Sequence, residues 1–160
     1  MIGCRPQGRV GAKLSRTRTL LVGGNDAFLD GIVDWVANDA QFEVVGRAHS
    51  GSQVMDRIDE LGVELVLMDV SLPDTSGFEV ARRIKVLPDA PLVVLLSFYD
   101  NKATRLEAWA AGADGFVPLS ETTSVLTPLV GDLLRRRDSG VGEKGSVIPF
   151  KRVPPTDLSK

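Results

Sequence analysis

Two kinds of hydrophobic pattern alternate along most of the chain. Short apolar runs rich in Val and Leu occur at Thr19–Val22, Phe42–Gly46, Glu64–Met68, Pro91–Leu96 and Gly115–Val117. They lack polar alternation, the pattern expected of parallel strands covered on both faces. Between the runs, apolar residues recur at helical spacing. Phe28, Ile32, Val33 and Val36 share one face, as do Val54, Ile58 and Leu61, and Phe78, Ala81 and Ile84. Ala103, Leu106 and Ala110 form a fourth such face, and Leu126, Leu129, Val130 and Leu133 a fifth. Asp26, Ser50 and Ser76 stand where helix N-caps belong. Gly62 and Gly112 stand where the second and fourth helices should stop. Pro128 predicts either a kink in the last helix or a helix that starts late with Thr127 as its N-cap.

The order is strand then helix, five times over, with short connections. Right-handed crossovers between parallel strands turn that order into an open, doubly wound α/β sheet with helices on both faces. The periodic region predicts one domain over residues 18–137. Residues 1–17 have no periodicity and read as a flexible basic N-terminal extension. Residues 138–160 carry Gly140, Gly142, Gly145, Pro149, Pro154 and Pro155 and read as a flexible tail. In sheets of this kind, sites form beyond the C-terminal ends of the strands. The positions to examine are therefore Gly23 to Asp26, Arg47 to His49, Asp69, Ser97 and Pro118 to Ser120.

Composition narrows the function classes. Hydrophobic residues make up 43% of the 160 and charged residues 25%, so the chain has enough apolar surface to fold. No apolar run approaches the ~20 residues that span a bilayer, and no signal-peptide pattern opens the chain. No membrane association is expected, and a cytoplasmic location is. A single cysteine, Cys4, excludes an intrachain disulfide and a multi-cysteine metal site. The net charge of −2 hides an uneven distribution. Residues 1–18 hold five basic residues and no acid, and residues 135–160 seven basic residues against three acids. Residues 19–134 are left with seven basic and eighteen acidic residues, which argues against nucleic-acid binding by the folded domain.

Asp69 is the first candidate for chemistry. It ends the run Glu64–Met68, predicted to be the central strand, where a carboxylate is costly unless it is used or well paired. A turn or capping carboxylate is the structural alternative. Ser97 ends a second buried run, and its hydroxyl would face the same edge, able to hydrogen-bond an added oxyanion or simply the local backbone. His49, the only histidine, reads as a solvated loop residue, because no nucleophile accompanies it. Trp35 and Trp109 read as core residues, with Trp109 as an alternative partner-surface aromatic. Arg135 to Arg137 read as a cationic last turn complementing the helix dipole.

The stretch Glu64–Lys85 (ELVLMDVSLPDTSGFEVARRIK) resembles the third strand, loop and third helix of response-regulator receiver domains. Pro91–Asp100 (PLVVLLSFYD) is similar to their fourth strand, and Ala111–Glu121 (AGADGFVPLSE) to their fifth strand and following turn. The resemblance covers roughly residues 18–136 and implies a flavodoxin-like (βα)5 fold with strand order 2-1-3-4-5. It implies a non-enzymatic module of two-component phosphorelay signalling, and a stand-alone one is expected because no second periodic region follows residue 137. Asp69 matches the phosphoacceptor, Ser97 the hydroxyl that bonds the phosphoryl group, and Phe116 the aromatic switch. The implied partners are a histidine kinase or phosphotransfer protein and a downstream protein, met through the helix 4–strand 5–helix 5 face. A homodimer is left open.

Three positions depart from the family pattern. Gly23 and Gly24 stand where the family has an acidic pair that helps to bind magnesium, and Leu119 where it has a lysine. Phosphoryl transfer depends on cations that neutralise the equatorial oxygens. Asp69 would be the only metal ligand left, and Mg²⁺ would bind weakly if at all. One lost charge-assisted contact costs about 1.5–3 kcal/mol. Two acids and one base vanish together, which leaves no unpaired lysine and no crowded acids. The expectation is a degenerate receiver acting as a protein-interaction module, with no cofactor. The alternatives are a receiver slowly phosphorylated on Asp69 and, from another class, a small α/β nucleotide-binding enzyme using the Gly23-Gly24 turn. Asn25 and Asp26 are minor candidates to replace the missing acids.

Overall fold

A computed structural model describes residues 16–138. All but the innermost positions of the expected N-terminal extension and tail lie outside the described residues. The chain order is β1 (Thr17–Val22), α1 (Asp26–Val36), β2 (Phe42–Ala48), α2 (Gly51–Leu61), β3 (Leu65–Asp69), α3 (Gly77–Lys85), β4 (Leu92–Ser97), α4 (Lys102–Ala110), β5 (Gly115–Pro118) and α5 (Thr122–Asp138). A 3-10 turn, Leu119–Glu121, leads into α5. The strands form one parallel sheet in the order β2-β1-β3-β4-β5. This strand order is the one that the resemblance implies.

Every residue of β3 and β4 is buried. Alternate side chains go to opposite faces. Leu20, Val66, Met68, Val93 and Leu95 pack with Val54 and Val80, Ile84 and Ala108 of α2, α3 and α4. Leu21, Leu65, Leu67, Val94 and Leu96 pack with Leu29, Ile32 and Val36 of α1 and Leu126 and Val130 of α5. Both layers are covered, which is why the runs lack polar alternation.

The helix starts differ from the sequence expectation in two places. Asn25, not Asp26, caps α1, its side chain accepting from the Phe28 N–H at 2.8 Å, and Asp26 becomes the first helical residue. Ser50 occupies the cap position of α2 but makes no side-chain cap. Asp74 does that work from the β3–α3 loop, accepting from the N–H groups of Gly51 at 2.8 Å and Ser52 at 3.1 Å. Asp reaches across from another loop because its carboxylate is long enough and charged, which suits the positive helix end. Ser76 caps α3 as expected, accepting from Glu79 N–H at 3.1 Å. Gly62 ends α2 at φ 61°, where a side chain would be strained.

Two further expectations are corrected. The α4 face of Ala103, Leu106 and Ala110 points to solvent, and the helix instead seats Ala108 on the core. The helix carries small or apolar residues on both sides, so period alone does not choose. The small side chain of Ala108 permits the closer approach to the sheet. Second, α5 does not start late. It runs unbroken from Thr122 with Pro128 inside it. Pro128 is exposed, so water can reach the Ser124 carbonyl that the ring leaves without a donor. The Thr127 hydroxyl does not cap but donates to Asp39 Oδ2 at 2.8 Å.

Candidate functional site

Asp69 is the last residue of β3 and lies opposite Leu96 in β4, one position before Ser97. Ser97 in turn lies opposite Pro118 of β5. The sheet therefore brings Asp69, Ser97 and the segment leading to Leu119 to one edge. Asp69 is only 8% exposed. Its Oδ1 accepts from the Ser71 N–H at 3.0 Å. Burial pushes the carboxyl above the usual carboxylate range, and the Ser71 N–H offsets part of that rise. Among the described residues no lysine or arginine forms an ion pair with it. The loop that follows is drawn in tightly: Gly77 N–H donates to the Val70 carbonyl at 2.8 Å. A Cβ at Gly77 would lie 2.6 Å from the Asp69 carbonyl oxygen, so only glycine fits.

Gly23 is buried and Gly24 is exposed. A Cβ at Gly23 would overlap the Phe28 ring, and one at Gly24 would lie 3.2 Å from Pro73 Cδ. Leu119 packs against the cluster between α1, α5 and the sheet. Asn25 is engaged as the α1 cap. Asp26 is held elsewhere: its Oδ1 lies 2.7 Å from His49 Nε2 and 3.7 Å from Arg47 Nη1. The His49 contact holds its carboxyl below the usual range. His49 is thus a paired residue, not merely a solvated one. Among the described residues no three of the His, Cys, Asp and Glu side chains form a group able to hold a metal ion. The magnesium ion implied by the family does not fit these residues: Asp69 is the one carboxylate left of the implied set, and Gly23 and Gly24 bring no side-chain oxygen.

Ser97 is fully buried, and its Oγ accepts from the Tyr99 N–H at 2.9 Å. Its hydroxyl oxygen therefore has the local-backbone partner weighed above. Phe116 is buried against Ala108, Ala111 and Ala113. The Arg105 guanidinium lies 5.2 Å from the Phe116 ring centroid. Arg105 Nε also donates to Asp100 Oδ1 at 2.6 Å. Sequence reasoning missed Arg105 and Asp100. Their five-residue spacing across a helix start carries no periodic signal, and only the packing of α4 on β5 puts the ring beneath the guanidinium.

Outward from this edge lies a set of exposed apolar side chains. Phe98 is 77% exposed, Tyr99 67%, Leu106 53% and Trp109 50%. Core packing of Trp109 is therefore corrected. Trp35 is half-buried and meets Phe42, their ring centroids 6.2 Å apart.

A family model described as the response regulator receiver domain matches residues 20–127. The chain belongs to this family. The receiver is 33% identical over 101 residues to the DNA-binding transcriptional activator DevR/DosR of Mycobacterium tuberculosis, covering 62% of this chain and 46% of that protein. It is 30% identical over 124 residues to the response regulator VraR of Staphylococcus aureus, covering 77% of this chain and 57% of that one. The chain spans about half the length of the curated relatives it matches. Among solved structures, the signal receiver domain of NarL from Mycobacterium tuberculosis superposes with a TM-score of 0.65 at 25% identity, covering 81% of this chain and 99% of that one. The receiver is a module of two-component response regulators, and no helix among the described residues is long and apolar enough to cross a membrane.

Proposed function

We propose that this receiver is degenerate and acts as a protein-interaction module in two-component signalling without Mg²⁺-dependent phosphorylation. The carrying observation is the surroundings of Asp69: one buried carboxylate with a raised pKa and no cationic partner among the described residues. Gly23 and Gly24 offer no side-chain oxygen, and Leu119 stands at the lysine position. An incoming phosphoryl group would find neither a metal nor an ammonium group to neutralise its oxygens. The exposed Phe98, Tyr99, Leu106 and Trp109 suit a docking role for α4 and its neighbours β5 and α5. The partners in view are a histidine kinase or phosphotransfer protein, or a downstream protein.

The test is incubation with a small phosphodonor and Mg²⁺, read by intact mass beside Asp69→Asn. The expected result is no gain of one phosphoryl mass within minutes. A gain that disappears in Asp69→Asn overturns the proposal and establishes the second reading, a slow but working receiver. That second reading is favoured by one observation, the adjacency of Asp69 and the buried Ser97 at the edge of β3 and β4. The nucleotide-enzyme reading loses support because no Lys-Ser/Thr pair follows the Gly23-Gly24 turn.

A further inference from the structure

We propose that Asp100 and Arg105 form a latch that fixes Phe116 in its buried orientation and thereby sets the conformation of the α4–β5 face independently of Asp69. The inference rests on the reading that partners dock on this face. It adds how the face is held.

The latch is built in three steps. Asn101 caps α4, its side chain accepting from the Thr104 N–H at 2.9 Å, so the first turn of the helix is fixed. This places Arg105 one turn in, pointing back toward the loop, where its Nε meets Asp100 Oδ1 at 2.6 Å. The guanidinium, with its side chain only 14% exposed, then covers the Phe116 ring at 5.2 Å. A cation over an aromatic face is attracted to it, and more so when partly desolvated. An arginine here offers a planar group that covers the ring and donates to a carboxylate in the same pose.

The consequence is directional. For Phe116 to swing outward, Arg105 has to leave the ring, and with it the contact to Asp100. Asp100 follows directly on the segment Ser97–Tyr99, which Ser97 Oγ ties back through the Tyr99 N–H. The β4–α4 loop, the first turn of α4 and the β5 aromatic therefore move together or not at all. A chain lacking a phosphoryl clamp at the sheet edge can in this way still hold one arrangement of the docking face. The same residues name the means of release: a partner that offers Arg105 a competing carboxylate would free the ring.

The experiment labels the phenylalanines with 4-fluorophenylalanine and assigns the Phe116 resonance by Phe116→Leu. Spectra are then recorded for Arg105→Gln, Asp100→Asn, the double variant and Arg82→Gln, a control on the exposed surface of α3. The expected result is a shifted or broadened Phe116 resonance in both single variants and no additional change in the double variant. Circular dichroism and the melting temperature, measured in parallel, show each variant folded. Arg105→Lys, which keeps the cation without the fork, is expected to fall between parent and Arg105→Gln. Parent-like Phe116 resonances in folded Arg105→Gln and Asp100→Asn overturn the latch, as do effects that simply add in the double variant. No phosphodonor is present, so failure here is distinct from failure of the phosphorylation proposal. Were Asp69 to accept phosphate while these spectra behaved as expected, the latch would stand and the degenerate reading would fall.

Discussion

Asp69 loses most of its water on folding and gains a single backbone N–H from Ser71 in return. Its folded pKa therefore lies above the unfolded one. The stabilising form is the neutral acid. Its contribution is complete below the unfolded pKa and is lost as pH rises through the folded pKa. Asp69→Asn is neutral at every pH, so it is expected to melt at a higher temperature than the parent at pH 7, with the gap closing as pH falls through the carboxylate range. A pH series of thermal melts checks this, and a gap that stays constant or opens toward acid contradicts it. At this scale the sequence already exposed Asp69, since a carboxylate at the end of Leu-Val-Leu-Met is conspicuous. It did not show that Phe28 closes over position 23, because a side chain's direction depends on where α1 is seated.

Helix ends and helix faces were legible to different degrees. Ser76 and Gly62 were readable because a cap or stop acts within its own few residues. The cap supplied by Asp74 to α2 was not, since it comes from another loop 23 residues away. Asp74→Ala is expected to lower the urea midpoint, and Ser50→Ala to leave it close to the parent's. Equal losses would show that the serine carries the cap. The seating of α4 gives a second measurement. Ala108 is buried and Trp109 half-exposed. Ala108→Leu is expected to cost about 1–3 kcal/mol by overpacking, whereas Trp109→Ala is expected to leave the midpoint nearly unchanged and to weaken partner binding. A large loss from Trp109→Ala, or none from Ala108→Leu, would place the other face of the helix inward. The α5 start belongs here too: Pro128 is a start signal only where a helix has no earlier hold on the fold, and Leu126 within the apolar layer supplies one.

Across the whole molecule, two apolar layers share one sheet, and β3 lies at its centre with helices over both faces. Opening β3 requires breaking both layers, whereas among the described residues β2 and β5 each have a neighbouring strand on one side only. Native-state amide exchange is accordingly expected to be slowest in β3, with β2 and β5 opening at lower free energy. Faster exchange in β3 than in β2 would contradict a jointly held core. The exposed apolar surface is a whole-molecule property as well, since Phe98, Tyr99, Leu106 and Trp109 come from a loop and a helix whose exposure follows from how α4 lies on the sheet. By itself the sequence determined the order of strands and helices, the parallel doubly wound sheet, and the strand-end positions of Asp69 and Ser97, because periodicity and chain connectivity are local and are set by backbone geometry; the strand order came only from the resemblance to receiver domains. The tertiary structure alone decided which face of α4 is buried, that Phe28 lies against position 23, and that Arg105 covers Phe116 while bonded to Asp100. Those outcomes depend on the distance and angle between elements, and side chains far apart in the chain settle them by competing for the same volume and the same charges.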